Sequence, residues 1–455
     1  MFNTSNLFLI YSLIILFFLG CDTLSFNKKK ITAEGKRLDI LAYKEELSVN
    51  SQAADIAVVL GKLEKNNSWN QSGKTSTHSP GNLYLNENPQ LVWKARVGDG
   101  DNSYNKLFAQ LVSDNELIFS LDTEGTIFSL NINTGKKLWK KTIIPSEESI
   151  NSNIDGGLAI SDGILIAATS YGEVIALKSE DGSILWKNYI GRPVQGAPTI
   201  SENMIFQMTV NNDLIVIDLQ TGKELWRYAG PYESAILNGA SASAVEGNIA
   251  IFPSNTGELF AFNKNMGTLI WQTELSLHGG ISTTKNLNDI DSGPVIDDNL
   301  IFAGTYEGRF GAVDYLTGLV IWDVPLKTTQ NPVINGNSIF VLTEESILVS
   351  MLRDNGNVRW ISDLNYKETI DQGIIDNISS IFSEAKTIKS NCKGPLLAGN
   401  NLWLGCGDKS ILVINPDDGK ILRSFNLPSP NAVTPIVVSG MIFFYTNDAR
   451  IFAYR

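Results

Sequence analysis

The sequence is poor in the side chains from which most catalytic and metal centres are built. It has two histidines, His78 and His278, so a His-built metal site or a histidine general base is poorly supplied. Cysteine is scarce as well: Cys21, Cys392 and Cys406 are the whole set, and no two are adjacent. Lys and Arg number 36 against 48 Asp and Glu, a formal charge of −12. No basic stripe interrupts that excess, which argues against nucleic acid, whose binding is driven by neutralising phosphates. The apolar run Leu7 to Leu19, at about 13 residues, is too short to cross a bilayer. What remains is an ordinary globular composition, 43% hydrophobic and 18% charged, with ample material for a large core.

What the chain has in abundance is one phrase. Thr221-Gly222-Lys223-Glu224-Leu225-Trp226 returns as Thr134-Gly135 to Trp139, Asp181-Gly182 to Trp186, Met266-Gly267 to Trp271, Thr317-Gly318 to Trp322, and Asn355-Gly356 to Trp360. A period of about 40 to 50 residues points to propellers or solenoids. Ahead of Trp226 stand three apolar runs, Ala197 to Ile200, Met204 to Gln207 and Leu214 to Leu219, separated by Asn, Ser and Glu turns. Short Val-, Ile- and Phe-rich runs bounded by turn residues are strands. Each repeat thus holds four strands and leaves no room for an ordinary helix, the pattern of a four-stranded antiparallel propeller blade.

The termini complete the count. Leu91-Val92-Trp93-Lys94 reads as the last strand of a blade with no strands before it, and Thr434 to Val438, Met441 to Tyr445 and Arg450 to Tyr454 read as three strands with no Trp phrase after them. Joined, they form one blade from both ends and close a ring, which removes exposed strand edges. Six blades end at Trp139, Trp186, Trp226, Trp271, Trp322 and Trp360. A seventh runs from about Gly394 to Phe425, with Arg423 at the Trp position, and the composite blade is the eighth. The fold expected is an all-β, eight-bladed propeller over 88–455. Its longer insertions are Asp99 to Lys106, Glu274 to Asp291 and Asn365 to Asn391, where function usually sits.

Trp93, Trp139, Trp186, Trp226, Trp271, Trp322 and Trp360 are expected to dock blade on blade, each ring filling the gap between sheets with its N–H on a backbone carbonyl. The phrase glycine supplies a positive-φ turn. The junction after blade seven, with Arg423, is expected to be the weakest.

The N-terminus reads as a targeting segment over 1–20. Leu7 to Leu19 has the length of a signal-peptide h-region, and Phe18-Leu19-Gly20-Cys21 resembles a bacterial lipobox, which implies cleavage before Cys21 and acylation there. Residues 21–87 read as a tether, with short helices over Ile40 to Leu47 and Ala53 to Leu63. Lys28-Lys29-Lys30 is either a headgroup contact or a solvated charge run.

The repeated T-G-x-x-x-W phrase on an eight-bladed ring resembles the quinoprotein repeat. That repeat occurs in pyrroloquinoline-quinone dehydrogenases and in the BamB family of outer-membrane assembly lipoproteins. The dehydrogenase resemblance implies adjacent cysteines near the cofactor and acidic and Asn ligands for calcium, and the chain has no vicinal pair. The lipobox, the size, the short loops and the lead-in Trp69-Asn70-Gln71-Ser72-Gly73 with His78-Ser79-Pro80-Gly81 resemble BamB instead. That resemblance implies a non-enzymatic scaffold without a cofactor or metal. Its partners would be the POTRA repeats of a BamA-like protein, other subunits of the assembly machinery and unfolded outer-membrane proteins. It places the contact on Leu237, Asn238, Asp289 and Asp291, although the family usually has Arg where Asn238 stands. The alternative for these positions is a buried strand start and turn-capping carboxylates. The implied location is the periplasmic face of the outer membrane, with Asp22 after Cys21 resembling an inner-membrane retention signal. Cys392 and Cys406 lie nearly symmetrically about Gly399-Asn400, so either they face each other across paired strands and bond or the register separates them.

Overall fold

The computed structural model describes residues 47–144, 156–231, 242–275, 289–290, 292–306, 308–368 and 386–455. All of them fall in the compact unit Glu46–Arg455. Eight sheets of successive antiparallel strands form the ring. Blade 1 is Val112–Asp114, Leu117–Leu121, Thr126–Asn131 and Lys137–Thr142, and blade 3 is Val194–Ser201, Met204–Thr209, Asp213–Asp218 and Glu224–Ala229. A small extra hairpin, Tyr366–Glu368 with Lys386–Ile388, stands between blades 6 and 7.

The ring closes as its two ends require. Leu91–Arg96 pairs with Arg450–Tyr454 in the register Trp93 to Ala453 and Ala95 to Ile451. That makes it the fourth strand of a blade whose other three come from the C-terminus.

Burial explains the composition of the strands. Middle strands such as Met204–Thr209 are buried along their whole length, because neighbouring blades cover both faces, and such strands read as continuous apolar runs. Fourth strands alternate, as in Glu224–Ala229. The core is a series of clusters, each between two blades. Phe206, Val216, Phe252 and Phe260 fill the gap between blades 3 and 4, and Ile251, Ala261, Ile296 and Ile301 fill the next.

The repeated phrase is the bolt that joins blade to blade. Trp93 Nε1 donates to Ile132 O at 2.8 Å and Trp139 to Ser179 O at 2.9 Å. Trp186 donates to Leu219 O, Trp226 to Lys264 O, Trp271 to Tyr315 O, Trp322 to Arg353 O and Trp360 to Pro416 O. Every acceptor lies in the following blade. The ring then lies flat on that blade's phrase glycine: a Cβ on Gly222 would sit 2.5 Å from Trp186 Cε3, and one on Gly182 2.7 Å from Trp139 Cε3. The glycine therefore does more than turn the chain at φ +70°; it is the seat for the preceding tryptophan. The residue that opens each turn holds it in shape. Asp218 Oδ1 accepts from both the N–H and the hydroxyl of Thr221 at 2.7 Å, and the Thr221 hydroxyl holds the Asp218 carboxyl below its ordinary range.

The junction after blade 7 is built differently, and both halves of the bolt change together. Arg423 replaces the tryptophan, and Pro89 stands four residues before Trp93 where other blades have glycine. Arg423 Nη1 donates to Asn88 Oδ1 instead. The apolar work passes to an aromatic row, Trp403 to Phe425 to Tyr454 to Phe444, with ring centres 6.3, 5.6 and 6.0 Å apart. Pairs at such spacings add stabilisation beyond area burial, so the seam has its own packing in place of the missing tryptophan.

Candidate functional site

The tether expected over 21–87 is, from Leu47 onward, an ordered part of the propeller. Asn50 N donates to Val358 O at 2.9 Å on the outer strand of blade 6. A single turn of helix, Ser51–Ala54, follows, capped by the Asn50 side chain. The helix expected over Ala53 to Leu63 is absent beyond Ala54; the chain instead runs inward along blade 6, with Val59 N and Gly61 N donating to the side chains of Asn337 and Asn335. Ile40 to Glu46, like the lipobox, Cys21 and Lys28 to Lys30, lies outside the described residues.

At the axis the segment visits the first strand of each blade in turn. Asn66 meets blade 8, where Ser439 N donates to its carbonyl at 2.8 Å and its side-chain amide donates to Val437 O at 2.7 Å. Ser68–Trp69 adds a fifth strand to blade 1, pairing Trp69 with Ser113. Asn70 brackets Ile160 of blade 2. Gln71 brackets Ile200 of blade 3, accepting from its N–H at 2.6 Å and donating to its carbonyl at 3.2 Å. Ser76 O then accepts from Val245 N of blade 4 and Thr77 O from Ile296 N of blade 5. The segment leaves past blade 7, where Leu83 N donates to Leu397 O and Gly399 N to Leu83 O.

The chemistry of this plug follows from the ring it closes. The first strand of each blade has an unpaired edge facing the axis, and a buried edge needs partners. The plug supplies them with the backbone carbonyls of Asn66, Asn70, Ser76 and Thr77 and with the side-chain amides of Asn66, Asn70 and Gln71. Trp69, Leu83 and Leu85 add the apolar part, joining the cluster that spans blades 7, 8 and 1. The lead-in Trp69 to Gly73 with His78 resembles the family's entry segment, and its role as an axial plug is not visible in those residues alone. What signal there is lies in the spacing of amide residues, which reads as linker polarity when the partners are remote backbones.

On the far side of the plug a cavity of about 160 Å³ lies between it and the starts of the first strands. Its described lining includes Lys393, Gln110 and Asn331 but no carboxylate. Among the described residues no cluster of His, Cys, Asp and Glu could hold a metal ion. A calcium-bound quinone needs acidic ligands, and the described lining supplies none.

The expected partner residues lie in the connections that lead from one blade to the next. Leu237, Asn238 and Asp291 are outside the described residues. Asp289 is not on the surface: it is buried at 2% exposure, and its carbonyl accepts from Tyr306 N at 2.9 Å. The insertion Asp99 to Lys106 is tied down: Thr123 Oγ1 donates to Asp99 O and Gly100 O, and Leu107 N donates to Asp101. Tyr104 at its tip is exposed.

Cys392 and Cys406 are joined as a disulfide. They face each other one step beyond the Lys393 to Gly405 pair of blade 7. A free-thiol count on the mature, unreduced protein is expected to find neither, and two free thiols from these positions would refute the pairing.

A closed eight-bladed ring, bolted by tryptophan on glycine and plugged on its axis, defines a propeller of the quinoprotein-repeat class. The family model described as outer membrane protein assembly factor BamB matches residues 123–362, and the chain belongs to that family. BamB of Yersinia pestis is 22% identical over 371 residues, 80% of this chain and 88% of the relative. BamB of Escherichia coli K12 is 22% identical over 369 residues, with the same coverage. The crystal structure of BamB from Moraxella catarrhalis superposes with a TM-score of 0.66 at 17% identity, over 81% of this chain and all of that one. Quinohemoprotein alcohol dehydrogenase from Comamonas testosteroni shares the fold, with a TM-score of 0.63 at 10% identity over 85% of this chain and 80% of that one.

Proposed function

We propose that this protein is a non-enzymatic scaffold of the outer-membrane β-barrel assembly machinery, holding the POTRA repeats of a BamA-like partner and assisting insertion of barrel proteins. The family match over residues 123–362 carries this reading. A closed ring plugged on its axis supports it, since binding residues are commonly carried by loops on a rigid scaffold. The contact lies on the connections before the first strands of blades 4 and 5, with Leu237 and Asn238 on one and Asp291 on the other. An apolar anchor beside a carboxylate suits a partner with an apolar pocket and a basic rim.

The mature chain begins at an acylated Cys21 and works at the periplasmic face of the outer membrane, with residues 21–46 as its spacer. Among the described residues no helix is long and apolar enough to cross a membrane. Pull-down from detergent extracts is expected to recover a large BamA-like barrel protein. A Leu237→Ala, Asp291→Ala variant should keep the native unfolding midpoint and lose that partner by about tenfold or more. Undiminished recovery with the variant would move the contact elsewhere.

The dehydrogenases that share the fold make a quinone-dependent oxidoreductase the second reading. An absorbance titration with pyrroloquinoline quinone and calcium is expected to show no stoichiometric binding, and tight binding would reverse the ranking.

A further inference from the structure

Two neighbouring turns depart from the chemistry of the repeat. The turn before the fourth strand is polar in the first three blades: Asn133-Thr134-Gly135-Lys136, Glu180-Asp181-Gly182-Ser183 and Gln220-Thr221-Gly222-Lys223. In blades 4 and 5 its tip carries Met266, Leu316 and Leu319 instead, at 73%, 62% and 65% exposure. The turn does not need them for its shape. In blade 5 Asp314 Oδ1 holds it, accepting from Leu316 N at 3.1 Å and Thr317 N at 2.8 Å.

The tryptophan bolt makes the patch continuous from blade to blade. Trp271 of blade 4 donates to Tyr315 O at 3.1 Å, and a Cβ on Gly318 would lie 2.6 Å from its Cδ2. Ile270, just before that tryptophan, and Leu319, just after that glycine, therefore stand next to each other along the rim, and both are exposed. Leu269 extends the surface on blade 4 and Ile321 on blade 5. At blade 6 the chain covers the same rim itself. Asn50 N donates to Val358 O, Arg359 Nη2 donates to Ala57 O at 3.3 Å, and Arg359 is 2% exposed. The residue before each earlier repeat tryptophan, from Val92 to Ile321, is an exposed aliphatic.

We propose that this corner of blades 4 and 5 is an interaction surface for a protein segment whose apolar face is flanked by Lys and Arg. Exposed apolar side chains gathered in one place mark a contact site, and charge selects the occupant. Asp314 and Asp354 lie in the turns of blades 5 and 6, and the cations of these turns are committed. Arg353 pairs with Asp297 and Asp298 at 2.8 and 2.9 Å, and Lys264 pairs with Glu202 at 2.8 Å. The Thr317 hydroxyl holds the Asp314 carboxyl below its ordinary range, which keeps it charged. A second copy of the chain would set these carboxylates against one another. A bilayer surface calls for exposed Trp, Tyr, Lys or Arg, and the turns of blades 4 and 5 offer none. The surface lies at the opposite end of the fourth strands from the inter-blade connections, so it is separate from the contact on Leu237 and Asp291.

The test is a fluorescence-anisotropy titration of the intact mature protein with a short amphipathic Leu–Lys helical peptide. A Leu–Glu peptide of the same length and a Ser–Lys peptide of the same charge serve as comparisons. Vesicles of phosphatidylcholine with phosphatidylglycerol, and sedimentation of the protein alone, are read alongside. The Leu–Lys peptide is expected to bind at least about tenfold more tightly than either comparison, and less tightly as salt rises. Leu316→Asn with Leu319→Ser installs the residues that blades 1 and 2 carry at these positions. That variant should keep the native unfolding midpoint and weaken binding by about tenfold or more. Undiminished binding by the variant, equal binding of the Leu–Glu or Ser–Lys peptide, or silence of the Leu–Lys peptide would each overturn the assignment. Vesicle binding or a dimer that the same substitutions abolish would overturn it too, giving the surface to lipid or to a second copy. If the double variant does not fold, Met266→Thr, the residue of blades 1 and 3, decides by the same loss.

Discussion

Gly222→Ala is expected to lower the stability of the ring by about 3–5 kcal/mol, far beyond what one methyl group at a surface turn would do. Two effects add. At φ +70° an alanine costs about 1 kcal/mol in backbone strain. The new Cβ would also lie 2.5 Å from Trp186 Cε3, so the indole must leave its seat. It then loses both its packing against the next blade and the hydrogen bond to Leu219 O at 3.0 Å, which together are worth about 2–4 kcal/mol. Gly191 is the matched control, since its φ is +85° but a Cβ there meets nothing within 4 Å. Gly191→Ala should cost only the backbone share, about 1 kcal/mol. Denaturant unfolding of the two variants beside the parent decides the matter, and equal losses would mean that the tryptophan does not need its glycine.

Acid should release the plug before it unfolds the propeller. Burial lowers the His78 imidazole to about 4, from an ordinary 6.5. The unfolded or undocked segment therefore binds a proton that the docked one refuses. The stabilisation from the neutral ring is complete above pH 6.5 and is lost as pH falls toward 4, about 3 kcal/mol in all. Asp122 of blade 1 works in the opposite sense. Burial raises its carboxyl to about 6, against hydrogen bonds from Thr126, Asp99 and Glu124 amides. Its contribution is present below the ordinary Asp value and is lost as pH rises through about 6. A global melting curve mixes the two, so the readout must be local. Amide hydrogen exchange at Val245 and Ile296, which donate to Ser76 and Thr77 of the plug, should accelerate between pH 6.5 and 4 beyond the intrinsic pH effect. In His78→Asn, whose amide can still donate to Pro294 O, that acceleration should vanish. Its persistence would assign the acid response to another group. Asp297, which accepts from Ser79 and is paired with Arg353, is the nearest candidate.

The ring was legible in the sequence because its signals are local and repeated. Alternation in the strands, turn residues between them and a tryptophan at fixed distance from a glycine all act over a few residues. Eight blades, six of them with the complete phrase, average out the noise, and the composite blade followed from counting strands at the two ends. The plug was illegible for the opposite reason. Gln71 and Ile200 are 129 residues apart, and Asn66 and Val437 are 371 apart. Nothing near an asparagine tells whether its amide faces water or a strand edge. Asp289 is similar, since a carboxylate ahead of a strand reads alike whether it faces a partner or a turn. At the seam, Arg423 was visible as a missing tryptophan. The aromatic row that replaces it draws on Trp403, Phe425, Tyr454 and Phe444 from four different strands of two blades, a pattern that no single repeat contains.

The pairing of Leu91–Arg96 with Arg450–Tyr454 has a consequence for the order in which this molecule can mature. Leu91–Arg96 has its partner more than 350 residues further along the chain, and the plug ahead of it needs the inner edges of the blades already assembled around it. Contacts of such sequence separation form late and slowly. Leu91–Arg96 therefore waits, unpaired, until Arg450–Tyr454 has been made. Protection of the Trp93 indole is accordingly a timestamp for completion of the whole circle.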